Sequence, residues 1–97
     1  MNAVEIITFL RNNVIQGARL KVTPSYYKGN TLMVKGVFLN SNIQIENAEI
    51  IKEKDLIDTE DYRLHFDVNG EYIVTLWYLP TRVTNLLYIT EYSIERC

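Results

Sequence analysis

The stretch Tyr62-Arg63-Leu64-His65-Phe66-Asp67-Val68-Asn69-Gly70-Glu71-Tyr72-Ile73-Val74-Thr75-Leu76-Trp77-Tyr78-Leu79 decides the fold class. Asn-Gly suits the two φ > 0 positions of a type I′ turn, whose twist matches that of the strands it joins. β-Branched and aromatic residues on both sides favour a pleated, half-buried ribbon. If Val68 opposes Glu71, then Phe66 opposes Ile73, Leu64 opposes Thr75 and Tyr62 opposes Trp77, and this face is the expected core. The opposite face then carries Arg63, His65, Asp67, Tyr72, Val74, Leu76 and Tyr78. That surface is too apolar to be left to water, so either an N-terminal helix or a partner must cover it.

Upstream, Asn2 is placed to cap a helix starting near Ala3, with Glu5 reaching back as the second half of a capping box. Ala3, Ile6, Ile7, Leu10 and Val14 recur at three- and four-residue spacing, while Glu5, Thr8, Asn12 and Gln16 fall opposite. Gly17 supplies a left-handed stop. From Ala18 onwards the pattern changes to strand and turn. Ala18, Leu20 and Val22 alternate with Arg19, Lys21 and Thr23 until Pro24 and Ser25 interrupt the run, leaving Tyr26, Tyr27 and Lys28 in a turn.

Thr31 to Leu39 and Ile43 to Ile51 read as a hairpin about Asn40-Ser41-Asn42, residues that tolerate left-handed backbone. Between Ile51 and Asp61 the alternation fails and charges crowd together, as in a solvated connection. Leu86 to Ile94 is a last strand after Pro80. The expected architecture is α+β: residues 1–97 form one domain, with one amphipathic helix on an antiparallel sheet of five to six strands that curls toward a partial barrel.

Composition narrows the chemistry. At 97 residues and 47% apolar content the chain supports one core. It has no apolar run near the ~20 residues needed to span a bilayer, and no basic region ahead of an apolar stretch and cleavage site. A lone Cys97 forms no internal disulfide, so a soluble protein of the reducing cytoplasm is expected. His65 is the single histidine and has no thiolate near it in sequence, so no multidentate zinc site is expected. Neither a G-x-S-x-G elbow nor a glycine-rich phosphate loop is present, and the carboxylates from Asp55 to Asp61 lack EF-hand spacing. No catalysis and no cofactor are expected.

Charge is segregated along the chain. Residues 1–45 carry Arg11, Arg19, Lys21, Lys28 and Lys35 against Glu5 alone, whereas residues 46–61 carry seven acids against Lys52 and Lys54. An acidic block of this kind steers encounter with a basic partner. Tyr and Trp supply large contact area with few rotatable bonds, which suits an interface. The reading the sequence favours is a non-catalytic protein that docks on another protein with a basic surface. Its expected contacts are Glu49, Glu53, Asp55, Asp58, Glu60, Asp61, Tyr72 and Tyr78. Small, motif-free acidic domains fit accessory or inhibitor proteins of phages and mobile elements, including blockers of a host defence protein. A second reading is a nucleic-acid-binding module using Arg19, Lys21, Tyr26, Tyr27 and Lys28, where cations hold phosphates and tyrosines stack bases. A third is a small-ligand pocket where the helix meets the sheet. Exposed sheet edges would also allow a homodimer.

Overall fold

A computed structural model describes residues 3–54 and 60–97, with backbone only at Ile15, Glu53, Lys54, Glu60 and Asp61. The first element is helix α1, Ala3–Asn13, which buries Ile6 and Leu10 completely. Its proposed cap, Asn2, lies outside the described residues. A 3₁₀ turn, Val14–Gln16, follows. Gly17 then ends the helical segment in the left-handed region (φ 93°, ψ 79°), its N–H donating to Val14 O at 3.0 Å.

Six antiparallel strands follow: β1 Ala18–Lys28, β2 Thr31–Phe38, β3 Gln44–Lys54, β4 Glu60–Val68, β5 Tyr72–Pro80 and β6 Leu86–Arg96. They pair in chain order, and β6 returns to β1, so the sheet closes fully into a barrel. The closing seam is short, running only from Ala18↔Ile89 to Lys21↔Leu86. Inward residues of all six strands meet Ile6, Leu10 and Val14 in one core that includes Leu20, Phe38, Ile45, Leu64, Val74, Leu76 and Ile89. Phe9 packs on Phe38 with ring centroids 4.7 Å apart. The helix therefore adds its apolar stripe to the barrel core and leaves the outer wall uncovered. No helix among the described residues is long and apolar enough to cross a membrane.

Local chemistry explains the corners. Gly29, at φ +62°, makes the two-residue link between Lys28 and Thr31. Asn40 takes φ +62° in the β2–β3 connection, where Ser41 Oγ donates to Phe38 O and accepts from Ile43 N–H. Gly36 faces inward, where a Cβ would stand 2.9 Å from Leu20 Cδ1 and 3.2 Å from Ile45 Cγ1. Only hydrogen fits between those side chains.

Three expectations require correction. The first is the β4–β5 register. The type I′ turn forms, with Asn69 at φ +57°, Gly70 at φ +71° and Glu71 N–H on Val68 O at 3.0 Å. Pairing then resumes at Val68↔Tyr72, one residue later than expected. The carbonyl of Glu71 accepts instead from Cys97 N–H at 2.8 Å, which draws Glu71 out of the ladder. Because side chains alternate with period two, this single step reverses β5. Val74, Leu76 and Tyr78 point inward; Ile73, Thr75 and Trp77 point outward opposite Asp67, His65 and Arg63.

Secondly, Pro24 and Ser25 do not end β1. A register shift between Pro24 and Tyr26 absorbs the irregularity, and Tyr26, Tyr27 and Lys28 pair with Met33, Leu32 and Thr31 as strand residues. Past Lys21 this strand has no ladder partner in β6, so it is an edge, where proline is tolerated. Thirdly, the charged run is partly strand, since β3 continues to Lys54 and β4 begins at Glu60, with Lys52↔Tyr62 and Glu53↔Asp61 in register. Lys52 Nζ lies 6.0 Å from the Tyr62 ring centroid, a cation–π distance that helps the pairing continue.

Candidate interaction surfaces

Residues directly opposite one another across a ladder share a face. Following the partners from strand to strand therefore draws the outer wall. One row runs Tyr26, Met33, Glu49, His65, Thr75, Ser93 across all six strands. A second runs Ile51, Arg63, Trp77, Glu91, and a third Asp67, Ile73, Glu95.

The middle of the first two rows is unusually shielded for an outer wall, while the third is exposed throughout. Met33 is 4% exposed and Thr75 9%, although both face away from the core. Thr75 Oγ1 and His65 Nδ1 are hydrogen-bonded at 3.1 Å, which fixes the imidazole against the sheet. Ile51, Arg63 and Trp77 are half-buried, while Glu91 at the end of their row and Asp67 and Glu95 two rows away are exposed. A depression of about 370 Å³, lined by Glu49, Ile51, His65, Asp67 and Ile73 among others, lies beside this group. The arrangement has an aromatic and aliphatic centre, one arginine within it and carboxylates at the rim.

The opposite part of the wall has the other sign. Arg19, Lys21 and Thr23 point outward from β1, Lys35 is opposite Thr23 on β2, and Lys28 stands at the hairpin tip. Residues 18–45 contain no carboxylate. Because the strands are arranged in chain order, the carboxylate-free stretch becomes a basic wall on β1–β2, while the described acids Glu46, Glu49, Asp67, Glu91 and Glu95 lie on β3, β4 and β6. A second depression, of about 330 Å³, lies where β2 meets β3, between Lys21, Lys35, Gln44 and Glu46.

The residues singled out from sequence are distributed as follows. Glu49 lies on the outer wall, half-buried opposite His65. Glu53, Glu60 and Asp61 stand at the facing ends of β3 and β4, and Asp55 and Asp58 lie outside the described residues. Tyr72 and Tyr78, expected on the open face, turn inward with the shifted register. Tyr78 is 4% exposed, with its ring 5.7 Å from Tyr62, and Tyr72 packs against the core. Burial raises the Tyr78 phenol above its ordinary pKa of 10.0. Trp77, expected inside, occupies the outer position instead.

Of the basic group, Arg19, Lys21, Tyr26 and Lys28 share the outer wall, whereas Tyr27 pairs with Leu32 and points to the reverse face of the hairpin. The structure adds two residues to this group. Lys35 lies alongside through its pairing with Thr23, and Tyr88 pairs with Arg19 across the seam. Lys35 was legible from alternation along β2; Tyr88 was not, because only barrel closure brings it there. The junction of helix and sheet, expected as a ligand pocket, is packed by Ile6, Leu10, Val14 and the Phe9–Phe38 pair. Comparison with known protein families, with characterised proteins and with solved structures finds no match to this chain.

Proposed function

We propose that the protein is a non-catalytic binding protein that occupies a macromolecular partner bearing a basic surface, and that the contact is the outer wall of β3–β6 centred on Trp77. The observation that carries this reading is the row Ile51, Arg63, Trp77, Glu91, outward-facing and half-buried at its centre, with exposed acids at its end and two rows away. Binding energy concentrates in buried Trp, Tyr and Arg side chains surrounded by a polar rim, and complementary charge sets orientation and encounter rate. Occupancy of this kind suits an inhibitor or accessory protein, which acts by covering a surface and needs no reacting group.

Immobilised wild-type protein should capture the partner from host lysate. Trp77→Ala should weaken capture about 30-fold or more, the scale of a hot-spot loss. Glu91→Lys with Glu49→Lys should weaken it further and flatten its salt dependence, while Lys28→Glu should leave it intact. Capture indifferent to both Trp77→Ala and the paired charge reversals would reject this wall as the contact.

A further inference from the structure

The basic wall adjoins the surface proposed above along β6 and has its own chemistry. Along β1 the outward residues are Arg19, Lys21, Thr23, then Tyr26 and Lys28 after the bulge. Lys35 flanks them from β2, and Tyr88 flanks Arg19 from β6. Lys21 and Lys35 therefore lie between two exposed rings, Tyr26 at 48% and Tyr88 at 42% exposure. Neither ring is needed in the core. Tyr26 reaches across β2, its hydroxyl donating to Asn47 Oδ1 at 3.3 Å, and the Tyr88 ring lies over Gly17, within 3.3 Å of where a Cβ would sit.

The backbone keeps this surface open. Pairing with β6 ends at Lys21, so residues 23–28 stand past the seam, and every one of them is exposed. From Arg19 to Lys28 the strand spans about 30 Å at ~3.3 Å per residue. That is the reach of about five extended nucleotides, within the range bound by a small barrel module.

We propose that the outer wall of β1 and β2, extended across the seam by Tyr88, binds single-stranded nucleic acid, with Arg19, Lys21, Lys35 and Lys28 on phosphates, Tyr88 stacking a base beside Arg19 and Tyr26 stacking one between Lys21 and Lys28. An acidic polypeptide would satisfy the cations but leave the two exposed rings without a role. A duplex keeps its bases stacked on each other and offers those rings no face. A single strand uses both features, since every base has a π-face and stacking is tolerant of sequence. The depression between Lys21, Lys35, Gln44 and Glu46 gives the strand room beside the cations.

Fluorescence anisotropy with labelled oligo-dT and oligo-U of about eight nucleotides tests this directly, the length exceeding the expected site. Binding should appear at low salt, and log K should fall with log salt at a slope of about −3, as four released counterions on a single strand require. Lys21→Glu with Lys35→Glu should abolish binding. Tyr26→Leu and Tyr88→Leu should each weaken it about five-fold or more, whereas Tyr27→Leu, on the reverse face, and Trp77→Ala should not. No anisotropy change at low salt overturns the proposal. So does displacement of the oligonucleotide by polyglutamate as readily as by unlabelled oligonucleotide, or binding that survives both ring substitutions unchanged, since either marks a generic polyanion surface. Preference for duplex over single strand also overturns it.

Discussion

Val68 stands opposite Tyr72, with Glu71 outside the ladder and its carbonyl held by Cys97 N–H. The turn that produces this relationship depends on Asn69 and Gly70 both keeping φ > 0, helped by Gly70 N–H donating to Asp67 Oδ1 at 2.9 Å. Gly70→Ala should therefore cost about 1 kcal/mol from backbone strain alone, because nothing lies within 4 Å of the added Cβ. Gly29→Ala, at φ +62° and equally open, should cost a similar amount. In urea titrations both should lower the midpoint at constant slope, and the double variant should show their sum.

The reversal of β5 separates neighbours energetically. Leu76 is fully buried, so Leu76→Ala should destabilise by about 2 to 5 kcal/mol. Trp77→Ser should cost clearly less despite removing a larger side chain, because the indole packs on one side only. The opposite order in denaturant unfolding would restore the register the sequence led one to expect.

Gly36 tests the tightness of the core. Gly36→Ala forces a methyl to within 2.9 Å of Leu20 Cδ1 and 3.2 Å of Ile45 Cγ1, and overpacking of this kind costs about 1 to 3 kcal/mol. Shortening one of the neighbours makes room. Gly36→Ala with Leu20→Val should be more stable than the two single losses added together, a coupling read from a double-mutant cycle.

The buried Tyr78 phenol predicts an alkaline limit. Its folded pKa is raised above 10.0 by burial, so the folded state holds a proton that the unfolded chain releases first. Stability from this group is unaffected below the unfolded value and declines as pH rises above about 10. Thermal unfolding at about pH 8 and pH 10.5 should show a drop that Tyr78→Phe reduces, with little effect of the substitution at the lower pH. An equal drop in both proteins would assign the alkaline sensitivity elsewhere.

What the sequence made legible was local. The stripe Ile6, Leu10, Val14, the alternation of Ala18, Leu20 and Val22, and the φ > 0 positions at Asn69 and Gly70 are all fixed within a few residues, and each stands as read. What it hid was set by distant strands. Glu71 is drawn aside by a residue at the far end of β6, and a one-residue step in a period-two structure exchanges Trp77 for Tyr78. The acidic run around Lys52 and Glu53 looked irregular, but pairing with β4 overrides its weak strand propensity. Pro24 appeared to stop β1 and instead pairs with Val34 of β2, on the side of the strand that β6 leaves open. The segregation of charge was visible; its conversion into a basic wall beside acid-bearing strands needed the strand order.

The short seam between β1 and β6 has a kinetic meaning. Every other ladder joins strands adjacent in the chain, so five hairpins can form from near neighbours, and among the described ladders the four pairs from Ala18↔Ile89 to Lys21↔Leu86 alone join remote strands, with Val22 N–H on Asn85 O beside them. Closing that loop of about 65 residues costs about 2 kcal/mol more entropy than closing a short turn, and four pairs offer little to offset it until Leu20, Leu87 and Ile89 are buried. The seam is thus the natural last step of assembly and the first place the cylinder opens. Amide hydrogens of Arg19 to Lys21 and Leu86 to Ile89 are the ones that should exchange ahead of global unfolding, making the clasp of the barrel its breathing point.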